Sequence, residues 1–420
     1  MIPHRFLPYA RQSIDSLDIQ EVSRALTADF ITRGPRVEAF EEAIANYCGA
    51  KYAVAFNSAS TALLASCYAA KMGPGDRLIT TPNTFVASVT SAMHHGATPI
   101  FVDIDRETGN LDLNQVELNL KDHKSSRGRT VILPVHFAGI PVDMRRLDTM
   151  IRSPDTIVIE DAAHALGSHY ADGQKVGCCA WSQMTVFSFH PAKTITTGEG
   201  GMVLTNDIEF YKLLQLFRNN GIVRDRENLE NPDAWYEGFY EAHDISSNYN
   251  FTDIQAGLGL SQLRRIDSFI EKRRQLTGIY HRLLKDMPNL RLFTAEHDAA
   301  VAFHLFVAQV DFEAYNTTRA YVMTALKNQG VGTQLHYIPV YHHPFFKKKS
   351  GDISEYFPQM EAYYKQALSL PLYPDLKGED VEYVVHTLKE ILSQEKQKKP
   401  MEKPSHTHRH HHVRFKGHRK

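Results

Sequence analysis

The stretch Thr185-Val-Phe-Ser-Phe-His-Pro-Ala-Lys-Thr-Ile-Thr-Thr-Gly-Glu-Gly-Gly-Met-Val203 holds two apolar runs joined by a short polar segment with one lysine, Lys193. The runs 185–189 and 201–205 read as strands lying close in sequence, linked through residues 190–200. Upstream the rhythm differs. β-Branched runs at 52–56, 77–81, 98–102, 130–135 and 156–160 alternate with amphipathic stretches at 60–71, 85–95, 113–121 and 142–151. Such alternation builds a largely parallel sheet with helices on both faces, because each parallel connection needs a crossover. The fold class is therefore α/β, and the lysine lies where the rhythm breaks. Downstream, one long helical pattern from about 252 to 285 leads into a smaller unit. That unit has strands near 302–310 and helices near 317–329 and 378–392. The expected division is a large domain over residues 1–260, a small one over 261–393, and a basic tail over 394–420. The tail has too few apolar residues to fold, and its six histidines are expected to be solvated rather than a metal site.

Length, charge and thiols narrow the function classes. The 420 residues, 43% of them hydrophobic, suffice for a sizeable buried core. A formal net charge of −1 offers no general attraction to nucleic acid or to acidic membranes. No run has the apolar length of a membrane span, and the N-terminus lacks the charged and apolar regions of a signal peptide. Cys48, Cys67, Cys178 and Cys179 show neither zinc spacing nor a disulfide framework, so a reducing cytoplasm is expected.

Four local patterns carry chemistry. Lys193 sits among Thr, Ser and Gly with no carboxylate before Glu199. Desolvation there disfavours the ammonium form and frees an amine to condense with a carbonyl, although a loop lysine is more often simply exposed. Ser188 closes the preceding strand and offers a donor to a phosphate. In Thr156-Ile-Val-Ile-Glu-Asp-Ala-Ala-His, a strand ends in Glu160-Asp161 with His164 three residues on. Asp161 can meet a pyridinium nitrogen or cap the next helix. In Phe56-Asn-Ser-Ala-Ser-Thr, a strand runs into a helix start whose free N–H groups and Ser60 hydroxyl make an anion site, or only a cap. Phe85, after Thr81-Pro-Asn-Thr, can cover a flat ring or fill a helix–sheet core. Phosphate donors, an aromatic face, a carboxylate and an amine are together what a pyridoxal 5′-phosphate site needs.

Over residues 9–392 the chain resembles the sugar aminotransferase family called DegT/DnrJ/EryC1/StrS. The resemblance rests on Thr32-Arg-Gly-Pro, Asn57-Ser-Ala-Ser-Thr-Ala-Leu, Thr81-Pro-Asn-Thr-Phe-Val-Ala, Glu160-Asp-Ala-Ala-His-Ala, Ser188-Phe-His-Pro-Ala-Lys, Asp253-Ile-Gln-Ala-Gly-Leu-Gly and Ser369-Leu-Pro-Leu-Tyr-Pro. It implies the aspartate-aminotransferase fold (fold type I), with a mainly parallel seven-stranded sheet and a smaller C-terminal α/β domain. It also implies pyridoxal phosphate held by Lys193, with Asp161 at the ring nitrogen and His164 near the phenolic oxygen. Ala59 (through its backbone), Ser60 and Ser188 would hold the phosphate, and Phe85 would cover the ring. Asn248 would reach the phosphate of a neighbouring subunit in a homodimer with shared sites. Tyr9, Thr32, His336 and Tyr337 would border the sugar nucleotide. The segment around Lys193 most resembles a branch that aminates UDP-4-keto-6-deoxy-N-acetyl-β-L-altrosamine, with L-glutamate as donor, for pseudaminic acid. Another nucleotide-linked keto sugar and a non-catalytic cofactor- or sugar-nucleotide-binding regulator are the alternatives. Related dehydrases carry His at the lysine position, so Lys193 opposes that activity. Two departures bear on the partner loop: Ser246-Ser-Asn-Tyr-Asn stands where Gly-x-Asn-Tyr-Arg is usual, and Asn220 replaces a common His.

Overall fold

The β-branched runs become strands close to their expected bounds. In the computed structural model, which describes residues 5–121, 128–294 and 300–397, they are β1 (Tyr52–Phe56), β2 (Arg77–Thr80), β3 (Thr98–Phe101), β4 (Thr130–Leu133), β5 (Thr156–Asp161), β6 (Met184–Ser188) and β7 (Gly201–Thr205). They form one sheet of order β1-β7-β6-β5-β4-β2-β3. Strands β6, β5, β4, β2 and β3 are parallel neighbours; the β2–β3, β3–β4 and β4–β5 links each carry an α-helix, whereas residues 162–183 between β5 and β6 hold none. The link after β6 is short, residues 189–200, so the chain turns straight back and β7 runs antiparallel between β6 and β1. Helices α1 (Ser16–Leu26), α2 (Pro35–Cys48), α3 (Ala59–Ala69), α4 (Ala87–His94), α5 (Leu113–Lys121), α6 (Met144–Met150) and α7 (Ile208–Arg218) accompany the sheet. Alternate strand residues enter different cores, as the two-residue period demands. Phe187, Met202 and Leu204 pack with Phe40 and Ile44 of α2, whereas Val186 and Val203 pack with Leu63 of α3 and Phe217 of α7.

The long helical pattern is two helices, not one. A short ribbon, β8 (Ile222–Val223) with β9 (Glu241–Ala242), precedes α8 (Asp253–Leu263) and α9 (Ile266–Leu284). Arg265 leaves helical geometry between them, with φ −108° and ψ 3°. Its guanidinium pairs with Asp15 at 3.0 Å and Asp18 at 2.5 Å, which pins the break to the start of α1. The break lets α8 stay against α1 and α2 while α9 turns away. Gly259 permits that contact, since a Cβ there would stand 2.6 Å from the Phe40 ring.

Beyond the break, β10 (Leu290–Leu292), β11 (Phe306–Val310) and β12 (Ala367–Leu370) make an antiparallel sheet. Helices α10 (Arg319–Asn328), α11 (Pro344–Ser350), α12 (Pro358–Gln366) and α13 (Gly378–Gln397) follow in that part of the chain. The strand expected over 302–310 begins only at Phe306. Helix α13 extends through Gln397, so the first residues assigned to the tail are helical because Leu392 and Glu395 still bury against the body. Residues 398–420, with all six tail histidines, lie outside the described residues. Among the described residues no helix is long and apolar enough to cross a membrane.

Gly201 is where sheet and helix meet most closely. A Cβ on it would lie 2.4 Å from the Ala59 nitrogen and 2.5 Å from the Ser58 carbonyl carbon, both backbone atoms that cannot swing aside. Gly201→Ala is therefore expected to destabilise the fold by about 1–3 kcal/mol, in the range of overpacked cores. Urea unfolding followed by circular dichroism measures this, and an unchanged midpoint would contradict the close approach.

Candidate active site

The C-terminal ends of β1, β5 and β6 converge with the 189–200 turn. That turn is held by its own backbone and hydroxyls. The Lys193 amide donates to the His190 carbonyl at 2.8 Å and the Thr197 amide to the Phe189 carbonyl at 3.0 Å. The Thr196 hydroxyl donates to the Phe189 carbonyl at 3.0 Å, and Gln255 of α8 reaches the Glu199 carbonyl at 2.7 Å. Lys193 is half-buried. Burial pushes its ammonium down to about 8, against the opposing pull of Asp161. It is thus a lysine with an accessible neutral form, not an ion-paired one.

Asp161 ends β5 and is buried. Its carboxylate accepts from the Ser88 hydroxyl at 2.6 Å and from the Ala163 amide at 3.1 Å. Ser88 also meets Thr84 at 2.7 Å, so the start of α4 orients the acid. Its neighbour Glu160 points to the other face, as strand alternation requires. There it accepts from His136 at 2.7 Å, Tyr170 and Ser182 at 2.5 Å each, and Thr185 at 3.0 Å. Burial alone would raise its carboxyl, but these donors hold it below the usual range. The pair therefore divides: Glu160 is committed to the core, and Asp161 faces the lysine.

His164 is buried, and its tautomer follows from its partners. The Ala138 amide donates to Nδ1 at 3.3 Å, so the proton sits on Nε2, 3.0 Å from the Tyr337 hydroxyl. Burial, then Lys193 and His336, hold its imidazolium well below the usual range, so the ring is neutral. His336 meets the Ser369 hydroxyl at 2.8 Å, and burial with Lys193 pushes it down to about 3. The Tyr9 ring lies 5.5 Å from that of His336, and Phe85 lies 6.5 Å from Tyr337. Phe85 is 58% exposed in the single chain, so it is a rim residue, not core filling. Ser88, Ala138 and His304, whose ring stands 4.4 Å from that of His164, were not anticipated. The Thr84–Ser88 spacing on one helical turn is the signal that points to Ser88; the others depend on tertiary packing.

The anion site is also assembled. Helix α3 starts at Ala59, and the cap is Ser58, whose hydroxyl accepts from the Thr61 amide at 3.2 Å. Ser60 is exposed in the first turn, where the Ala59 and Ser60 amides have no intrahelical acceptor. Ser188 pairs in register with Gly201, which abuts Ala59, so Ser188 and the helix start are neighbours. Among the described residues, Thr32 and Asn248 make no hydrogen bond to this group. Both are exposed, Thr32 bridging to Thr252 and Asn248 to Asn219. The Tyr249 carbonyl accepts from the Asn57 amide at 3.1 Å, which tethers the Asn248 loop to the turn before α3. Arg218 pairs with Glu41 at 2.5 Å across α2 and α7.

A neutral-form lysine facing a strand-end carboxylate, beside a helix start with open amides, defines an aminotransferase-type pyridoxal phosphate site. The chain belongs to the DegT/DnrJ/EryC1/StrS aminotransferase family, which it matches over residues 12–389. It is 36% identical to the spore coat polysaccharide biosynthesis protein SpsC of Bacillus subtilis, over 93% of this chain and 98% of that protein. It is 34% identical to the UDP-4-amino-4,6-dideoxy-N-acetyl-beta-L-altrosamine transaminase of Campylobacter jejuni, with the same coverage. Helicobacter pylori PseC, an aminotransferase involved in the biosynthesis of pseudoaminic acid, superposes with a TM-score of 0.82 at 29% identity, covering 93% of this chain and all of that one. The chain is accordingly a nucleotide-sugar aminotransferase of the aspartate-aminotransferase fold, and it uses pyridoxal phosphate, the cofactor form in which a relative has been solved. The residues fit the group: the lysine is poised as an amine, the acid is fixed by two donors, and the helix start presents its amides.

The lysine shift has a measurable sign. The amine form grows as pH rises through about 8, more than two units below the ordinary lysine value. Capture of pyridoxal phosphate by the cofactor-free enzyme, followed by absorbance, should therefore quicken with pH and level off above about 8. A midpoint near the ordinary lysine value of about 10.4 would mean that Lys193 is fully solvated.

Proposed function

We propose that this enzyme aminates C4 of UDP-4-keto-6-deoxy-N-acetyl-β-L-altrosamine in pseudaminic acid biosynthesis, with L-glutamate as donor. It works in the cytoplasm as a homodimer whose subunits complete each other's sites. The observation that carries the chemistry is the half-buried Lys193 amine facing Asp161, walled by the neutral imidazoles of His164 and His336. The choice of sugar is supported by the likeness to the Campylobacter jejuni transaminase and to Helicobacter pylori PseC. The somewhat higher identity to SpsC favours a second reading, a different nucleotide-linked keto sugar in the same reaction.

Bound pyridoxal phosphate supplies the electron sink and carries the amino group between two half-reactions. Asp161, oriented by Ser88 and Ala163, keeps the ring nitrogen protonated. Lys193 takes the proton from the donor's α-carbon, and in the second half-reaction it delivers one to C4 of the sugar. The neutral state of His164 and His336 keeps further positive charge away from that amine. His164, whose Nε2 meets the Tyr337 hydroxyl at 3.0 Å, would stand beside the phenolic oxygen of the bound cofactor. The Ala59 amide and the Ser60 and Ser188 hydroxyls bind the phosphate, joined by Asn248 of the partner subunit. Phe85 covers the ring, and Tyr9, Thr32, His336 and Tyr337 border the sugar nucleotide.

Two experiments test this. Lys193→Ala and Asn248→Ala subunits, each inactive alone, should recover about a quarter of wild-type sites on random mixing, because one site of each mixed dimer is intact. No recovery despite demonstrated exchange would place Asn248 in its own chain's site, where the Asn57–Tyr249 tether also holds it close. For the substrate, the UDP-4-keto-altrosamine and GDP-4-keto-6-deoxymannose should compete at equal concentration, with the UDP sugar preferred in kcat/KM. Preference for the GDP sugar would overturn the pseudaminic acid reading and leave the aminotransferase standing.

A further inference from the structure

The loop that carries Asn248 contains a closed set of amide hydrogen bonds whose orientation can be deduced. The Asn250 backbone amide, which can only donate, lies 3.1 Å from the Asn248 side chain, so the facing atom is Oδ1. At the other end, an Arg33 guanidinium nitrogen, also only a donor, lies 3.4 Å from the Asn219 side chain, so that atom too is an oxygen. Between these two oxygens stands the Asn250 side chain, 2.8 Å from Asn248 and 3.2 Å from Asn219. It must present its nitrogen to both. Both hydrogens of Asn250 Nδ2 are then used, and so are both acceptor positions of Asn248 Oδ1. The loop backbone supports the arrangement: Asn219 and Asn248 bridge antiparallel, and the Asn220 amide donates to the Ser247 carbonyl at 3.0 Å. Asn220 adopts a left-handed φ of 58°, which asparagine accepts more readily than most residues.

The consequence falls on the remaining atom. With Oδ1 saturated from inside the loop, the Asn248 amide cannot turn over without breaking two hydrogen bonds. Its NH2 group is therefore directed outward, and Asn248 is exposed. We infer that Asn250 is a positioning residue that locks Asn248 as a pure donor, so that two N–H groups are aimed at a phosphate monoester dianion. The inference rests on the reading of Asn248 as a ligand of the cofactor phosphate.

The two are separable by comparing pyridoxal phosphate with pyridoxal, which lacks the phosphate, in equilibrium binding to the enzyme freed of cofactor. Asn248→Ala tests the underlying reading: it should lower the ratio of the two affinities about tenfold or more, the loss of a charge-assisted donor. Asn250→Asp tests the inference. It keeps the shape of the side chain but sets a carboxylate against two amide oxygens. The Asn248 amide then turns over to donate inward and shows its oxygen to the phosphate. Asn250→Asp should lower the same affinity ratio at least as far as Asn248→Ala, with pyridoxal binding unchanged. Asn250→Gln, which keeps the NH2 donor, should recover most of the loss. A lowered ratio in Asn248→Ala with a normal ratio in Asn250→Asp would overturn the positioning role alone. A normal ratio in Asn248→Ala would remove the phosphate reading and the inference with it. If Asn250→Asp weakens both ligands equally, the residue only holds the loop together, and the inference fails.

Discussion

Strand β7 must pass between β1 and β6 with no side chain at Gly201, and the rest of the site depends on that passage. One edge of β7 pairs with β1, whose end runs directly into α3. The other pairs with β6, whose end carries Ser188. Because Gly201 lies against the Ala59 backbone, the helix amides and the Ser188 hydroxyl, separated by more than a hundred residues in sequence, become neighbours. The same reversal leaves Lys193 on a tight turn rather than on a crossover. Its position relative to Asp161 is then set by the β5–β6 pairing, in which Asp161 is opposite Val186.

Charge is partitioned as strictly as shape. Adjacent carboxylates at the end of β5 diverge, one into a four-donor cage in the core, the other toward the lysine. Burial first, then nearby cations including Lys193, disfavour the imidazolium forms of His164, His304 and His336, so these rings contribute little positive charge around Lys193. The outcome is a site in which one amine and one carboxylate carry the reactive charges, and the surrounding rings supply shape and hydrogen bonds. A second carboxylate in that space would return the lysine to its ammonium form.

The fold was legible wherever a single physical period governed the residues. All seven strands of the large sheet follow from β-branched runs, and β1 and β7 begin and end where the pattern does. The break at Arg265 was not legible, because both flanking helices keep one apolar period and the interruption is imposed by Asp15 and Asp18 of a distant helix. Strand β10, Leu290–Leu292, is too short to show a period, and β12 pairs with β11 far upstream in the chain. In the site, Lys193, Asp161, Ser188 and His164 could be read because each follows an apolar strand. Ser88 and His304 act through contacts that only the folded chain makes.

The N-terminal segment adds a mechanical consequence. Leu7 exchanges hydrogen bonds with Gly330 and Gly332, and the Tyr9 carbonyl accepts from Leu372, so this segment is stitched to the edge of the C-terminal sheet. His336 is fastened to Ser369 of that sheet, and Tyr363 donates to the His336 carbonyl. Tyr9 and His336 are therefore fixed to the C-terminal sheet, while Tyr337 is tied across the site to His164 at 3.0 Å. The His304 amide adds a second tie, donating to the Ala138 carbonyl at 2.9 Å. The aromatic wall is thus anchored at both ends, so loosening the N-terminal segment would reach His164 through His336 and Tyr337.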